Sequence, residues 1–168
     1  MPRPRFSFVN IGWLLALLLV IGSASVARAA DTIAAVQRYV TLRANEVNLR
    51  AGPGEQFQIQ WVYRRKGLPV EVIGKSDVWR KIRDWQGTEG WVHQRMLTES
   101  RGVIVRGAVR PLHSDPDPAS DIVARAEPGV IAKLLECRGA WCRVETSDIK
   151  GWLGRNEVWG VDPDEEVR

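Results

Sequence analysis

Cysteine, histidine and long apolar runs are scarce in this chain. Its 168 residues hold two Cys and two His. A structural zinc site takes about four ligands. With Cys137, Cys142, His93 and His113 as the whole Cys and His supply, neither metal nor other cofactor is expected. A Cys–His hydrolase would need a free thiolate beside a histidine. Asp84 and His93 make a nominal dyad, but no nucleophile stands in a matching motif, so no catalytic residue is assigned and no enzyme is expected. Gly52-Pro53-Gly54 lacks the Lys-Ser/Thr continuation of a phosphate-binding loop. A surplus of one charge is missing too. The chain has 24 Lys+Arg against 20 Asp+Glu; without Arg3, Arg5 and Arg28 at its start, 21 basic groups face 20 acidic ones. That balance argues against a nucleic-acid partner.

One apolar run is present, and it lies at the start. Arg3 and Arg5 precede Ile11–Ile21, and Ala27-Arg28-Ala29 follows. A basic start, a short apolar core and an A-x-A end read as a secretory signal peptide over 1–29, cleaved after Ala29. The run is shorter than the roughly 20 residues of a spanning helix, which weighs against an uncleaved anchor. The mature chain is therefore expected in the periplasm or secreted, without a transmembrane segment. Ala30–Arg38 reads as a leader. Export would place the cysteines where disulfides persist. Cys137 and Cys142 flank Arg138-Gly139-Ala140-Trp141, a length that suits a hairpin loop, so they read as a local cross-link. Their C-x4-C spacing is a poor match to a C-x-x-C redox pair.

After the N-terminal segment no window shows convincing helical periodicity. Short β-rich runs alternate with turns instead: Tyr39–Ala44, Gln58–Arg64, Pro69–Ile73, Trp79–Trp85 and Gly90–Val92. Alternation puts Ile59, Trp61 and Tyr63 on one face. The same grammar then returns at an offset of 61 to 63 residues. Leu49–Gly54 matches Leu112–Asp117; Lys66–Val72 matches Glu127–Lys133; Trp79–Ile82 matches Trp141–Val144; Gly90-Trp91-Val92 matches Gly151-Trp152-Leu153. Four anchors in one order define two repeats, 39–98 and 103–160, with 161–168 as an acidic C-terminal tail. Each repeat is small for an independent core, and the short linker Thr98–Gly102 implies that they pack together or move little.

VNLRAGPG, KGLPVEVI, WRKIRD and GTEGWVH, in that order, resemble the bacterial SH3-like (SH3b) domain. The whole mature chain is similar to the tandem SH3-like exported proteins of Gram-negative bacteria, through EPGVIAKL, a C-x4-C around a Trp, and the terminal Trp159-Gly160-Val161-Asp162-Pro163-Asp164-Glu165. The resemblance implies an all-β protein of two tandem small antiparallel barrels. It implies a non-catalytic role in the cell envelope, with a cell-wall (peptidoglycan) peptide or an envelope protein as partner. A protein-directed periplasmic adaptor or an accessory to a cell-wall hydrolase are the other readings. The second repeat departs from the pattern, with Asp115 and Asp117 where the first has Gly52 and Gly54, so a ligand role common to both loops does not follow.

Aromatics that recur, Trp79 with Trp141 and Trp91 with Trp152, fit barrel structure. Trp61, Tyr63 and Trp85 have no aromatic counterparts, which leaves them free for a ligand, a partner or the other repeat. Together with Arg50, Arg64 and Arg83, offered to carboxylates, they form the candidate binding face. Charge divides the repeats: residues 38–98 hold 11 basic and 6 acidic groups, residues 99–168 hold 10 and 13. Attraction between repeats, an anionic partner for the first, or a solvated surface all fit that division.

Overall fold

A computed structural model describes residues 39–168. The expected signal peptide, its expected cleavage after Ala29 and the expected leader fall outside the described residues. Among the described residues no helix is long and apolar enough to cross a membrane.

The first repeat builds strands β1 (Tyr39–Leu42), β2 (Val47–Arg50), β3 (Ile59–Tyr63), β4 (Pro69–Ser76), β5 (Trp79–Arg83), β6 (Glu89–His93) and β7 (Leu97–Thr98). The second builds β8 (Gly102–Val105), β9 (Arg110–His113), β10 (Ile122–Ala126), β11 (Ile131–Arg138), β12 (Trp141–Thr146), β13 (Ile149–Gly154) and β14 (Val158–Trp159). A short 3-10 turn precedes β7 and another precedes β14. Strand order is β3-β2-β6-β5-β4-β1-β7 in one sheet and β10-β9-β13-β12-β11-β8-β14 in the other, the same order twice. The fold is all-β, with two SH3-like barrels in tandem.

The matched anchors have matched physical reasons. Gly67 and Gly129 have φ of 81° and 83°, a left-handed backbone that glycine adopts without a Cβ clash. Each donates its N–H back to the first strand of its barrel, Gly67 to Leu42 O at 2.9 Å and Gly129 to Val105 O at 2.8 Å. Gly90 lets β2 close over β6, since a Cβ there would stand 2.6 Å from Leu49 Cγ; at Gly151 it would stand 2.9 Å from Leu112 Cβ. Bulges recur as well. Register shifts fall between Val72 and Gly74 and between Leu134 and Glu136, and again beside Leu49/Arg50 and between Ile122 and Ala124. A bulge sharpens the local twist that lets a sheet coil into a barrel.

Val47 and Leu49 point into the first core, as the alternation of β2 requires, with Val70, Ile82 and Val92 beside them. The second core gathers Val103, Val105, Leu112, Val144, Leu153 and the Cys137–Cys142 disulfide. The two cysteines are direct cross-strand partners on β11 and β12. Arg138 and Trp141 also pair, so the hairpin loop is tighter than the spacing suggests: only Gly139 and Ala140 form the turn.

β1 and β8 are buried on both faces. One face of each lines its own barrel and the other meets the opposite repeat. Ile104 of β8 is fully buried and belongs to the first core, with Ile131 and Trp159 packed against it. Thr41 Oγ1 donates to Ser100 O at 3.0 Å, and the Arg65 guanidinium donates to Gly129 O at 2.7 Å. Gly102 sits where a Cβ would meet Thr41 Cγ2 at 2.9 Å. The repeats thus join through apolar packing and hydrogen bonds to main-chain carbonyls. Ion pairs such as Arg64–Glu46 and Arg110–Glu157 lie within a repeat.

Residues 161–168 fold back. The main chain of Val167 bridges Cys137, whose N–H donates to Val167 O at 2.9 Å. Arg155 Nη1 donates to Asp162 O and Glu165 O, 2.7 Å each. Arg101 grips the Glu165 carboxylate through both Nη atoms, and this hydrogen bonding is the main cause that holds the Glu165 carboxyl below its usual range.

Candidate ligand-binding site

The three unshared aromatics go to three different environments. Tyr63 is 6% exposed and belongs to the first core. Alternation alone grouped it with Ile59 and Trp61, but the structure buries Tyr63 and leaves the other two in solvent, at 45% and 57% exposure. β3 is an edge strand that enters the barrel only at its end, and Tyr63 closes it there by donating its hydroxyl to Asp84 Oδ2 at 2.9 Å. Burial first, and the Asp84 charge second, raise the Tyr63 phenol far above its ordinary pKa. The other Asp84 oxygen accepts from Gln86 N at 2.9 Å and Thr88 N at 2.8 Å, which shapes the β5–β6 turn. His93 stands at the opposite end of that hairpin, paired with Trp79, while Arg83 at the turn end pairs with Glu89. Its Nδ1 accepts from Arg95 N, and its ring lies edge-on to Trp79. Asp84 and His93 therefore form no dyad.

Trp85 follows Asp84 and is half-buried. It packs against the first core and lines a cleft of about 270 Å³ whose remaining lining, Val105, Arg106, Gly107, Pro128 and Gly129, belongs to the second repeat. Trp61 is the strongly exposed member of the three. Ile59, on the same edge strand, is 45% exposed, and Phe57, just before that strand, is 39% exposed. At the position equivalent to Trp61 the second repeat has Ala124, since Leu49 pairs with Trp61 and Leu112 with Ala124.

Phe57 was not singled out by the sequence, and Gly52 explains its place. A Cβ on residue 52 would stand 2.5 Å from the Phe57 ring, so the first glycine of GPG is a seat for Phe57. The signal was an aromatic five residues past that glycine. Arg50 completes the loop, with Nη1 donating to Phe57 O at 2.7 Å and Glu55 O at 3.0 Å. In the second repeat His113 takes the place of Arg50, its Nδ1 3.3 Å from Ser120 O. Ser120 Oγ holds that corner by donating to the carbonyls of Asp115 and Asp117. The corner persists without its glycines because a side chain supplies the links.

The other two arginines also have partners. Arg83 contacts Glu89 at 2.9 Å and Glu71 at 3.5 Å. Hydrogen bonds from Lys81, then Arg83, hold the Glu89 carboxyl below its usual range. Arg64 lies 3.3 Å from Glu46, but both side chains are largely in solvent, and such pairs are weak. Of the three arginines, Arg64 is the readiest to exchange its partner for a ligand carboxylate. Trp79 and Trp152 are buried, and Trp141 sets its ring against His113, centroids 5.5 Å apart. Among the described residues no group of three or more His, Cys, Asp or Glu is placed to hold a metal ion.

A family description, the bacterial SH3 domain, matches residues 43–99 and again residues 107–160. The chain belongs to the bacterial SH3 domain family. This bacterial SH3 protein is 19% identical over 161 residues to YrvJ of Bacillus subtilis, named as a candidate N-acetylmuramoyl-L-alanine amidase. The match takes in 89% of this chain and 31% of the amidase relative, so the chain spans about a third of that protein's length. Solved structures that resemble it include NlpC2 from Trichomonas vaginalis, at 13% identity and a TM-score of 0.34, covering 73% of this chain and 47% of that one. An NlpC/P60 family protein from Bacillus cereus gives 14%, 0.33, 72% and 55%.

Proposed function

We propose that this chain is an exported, non-catalytic binding module that recognises cell-wall (peptidoglycan) peptides through the exposed β3 edge of its first barrel. The observation that carries the reading is the 57% exposure of Trp61, with Ile59 exposed on the same strand and Phe57 just before it. A large aromatic kept in solvent costs hydrophobic free energy, and contiguous exposed apolar residues mark recognition surfaces. Trp61 supplies the apolar platform and Arg64 the cation for a peptide carboxylate. Arg50 acts by holding the loop that carries Phe57, and Trp85 contributes from the inter-repeat cleft. The relationship to an SH3-bearing protein named as an amidase supports a wall ligand, and no bond-breaking step belongs to the proposal.

The test compares the mature chain with Trp61→Ala in co-sedimentation with purified sacculi at low and moderate salt. Retention of the parent, reduced about tenfold or more in the variant, is expected for an aromatic anchor. No retention of the parent at either salt, or equal retention of both, overturns the reading. A single dominant protein in periplasmic crosslinking, without bound glycan, would replace it with a protein-directed adaptor.

A further inference from the structure

We infer that β10 is a self-association edge, through which two copies of this chain pair antiparallel about Val123. β10 ends its sheet and, among the described residues, has β9 as its one hydrogen-bonded neighbour in that sheet. The edge of a sheet carries unpaired N–H and C=O groups that template pairing with another chain. Ile122 and Val123 are both exposed there, although alternation alone would turn one of two neighbours inward. The register shift between Ile122 and Ala124, a bulge, falls at this point. Val123 lies over β13, since a Cβ on residue 151 would stand 3.0 Å from Val123 Cγ2. Ile149, two residues from Gly151 along β13, shares that face and is exposed as well.

Charge selects the occupant and the register. Asp121, Val123 and Arg125 take alternate positions, and all three are exposed. Neither Asp121 nor Arg125 has an ion pair among the described residues. Four residues of extended chain set the two roughly 13 Å apart, too far for one copy to pair its own. A second copy running antiparallel about Val123 sets Arg125 opposite the partner's Asp121, and Asp121 opposite the partner's Arg125. Residues directly opposite in an antiparallel pair are close on one face, and opposite charges there stabilise the pairing. Centring one residue further on, at Ala124, would instead set Asp121 against the partner's Glu127, and like charges directly opposite destabilise.

The first repeat lacks this arrangement. Its equivalent positions are Gln58 and Val62, both uncharged, since Asn48 pairs with Val62 as Pro111 pairs with Arg125. β3 has no self-complementary charges, so the inference belongs to the second barrel alone. A two-fold contact uses the same patch on both copies and closes on itself, which gives a dimer and not a filament. Such a dimer would present two β3 edges, and that bivalence would strengthen attachment to a repetitive ligand. The bivalence rests on Trp61 anchoring a wall ligand; the β10 pairing stands without it.

The experiment measures mass against concentration by analytical ultracentrifugation of the full mature chain, with circular dichroism to confirm that each variant is folded. The chains are the parent, Arg125→Asp, Asp121→Arg, the double variant Asp121→Arg/Arg125→Asp, and Trp61→Ala as a control on the other edge. The parent should dimerise. Each single charge reversal sets like charges opposite one another twice and should raise the dimer Kd about tenfold or more. The double variant exchanges the two charges and should return the Kd to within about threefold of the parent. An equimolar mixture of the two single variants, one of them isotope-labelled for native mass spectrometry, should form the mixed dimer that neither forms with itself. Trp61→Ala should dimerise like the parent. A parent that stays monomeric up to about 1 mM overturns the inference. So does dimerisation that both single variants retain, a double variant and a mixture that both fail to restore it, or its loss in Trp61→Ala. Failure of sacculus binding would leave the result unchanged, since the mass measurement involves no wall ligand.

Discussion

Tyr39 of the first barrel stands edge-on to Trp159 of the second, ring centroids 5.2 Å apart and planes at 80°. The contact bridges the first strand of one barrel and the last of the other. It belongs to a junction in which β1 and β8 each serve two barrels. A strand with two buried faces has no solvent side, which is why Tyr39–Leu42 and Gly102–Val105 are buried throughout.

Because Ile104 fills the core of the barrel it does not belong to, the barrels should unfold as one unit. Ile104→Ala is expected to cost about 2–5 kcal/mol. Denaturant unfolding should remain a single transition, shifted to lower midpoint, when followed both by tryptophan fluorescence and by backbone circular dichroism. Two transitions in the parent, or a shift confined to one barrel's signals, would contradict the junction as described.

Tyr63→Phe removes the hydroxyl that donates to Asp84 and leaves a buried acceptor short of a partner. A loss of about 1–3 kcal/mol is expected from denaturant midpoints. The same bond has a pH signature. The folded-state pKa of Tyr63 is raised above its unfolded value of 10.0, so the folded chain holds this proton more tightly. The associated stability is fully present below about pH 10 and is lost as pH rises beyond it. Stability of the parent should therefore fall more steeply above pH 10 than that of Tyr63→Phe. Parallel curves would show that Tyr63 titrates normally.

The Cys137–Cys142 bond closes a loop of only four intervening residues, so the gain from restricting the unfolded chain is small. Cys137→Ala/Cys142→Ala should lower stability by about 2 kcal/mol, and more where the lost sulfurs leave space in the second core. Because Cys137 N–H bonds to Val167 O, amide exchange at residue 137 should quicken in the variant. Intact mass of the protein purified without reductant, before and after reduction and alkylation, checks the bond itself; two free thiols without reduction would contradict it.

Much of the fold was legible because the features that specify it are local. Gly67 and Gly129 recur because the same turn needs a left-handed residue, and Gly90 and Gly151 because a neighbouring strand passes too close for a Cβ. Val47 and Leu49 are buried at alternate positions of β2, the period a half-buried strand carries in its sequence. The candidate site was less legible. The face assigned to Tyr63 depended on where β3 meets the barrel and on Asp84, 21 residues away. Arg50, Arg64 and Arg83 looked equivalent in sequence, yet one pins a loop, one makes an exposed pair and one joins a carboxylate cluster. Phe57 reached its seat only once its loop had folded over Gly52.

By itself the sequence determined two barrels of one design, because hydrophobic alternation and turn residues act within a few positions and were written twice. Tertiary structure decided what each unshared residue does. It placed Tyr63 in the core, Trp85 at the cleft between repeats and Trp61 in solvent. Side-chain environment depends on residues distant in the chain, and here many of those neighbours come from the other repeat.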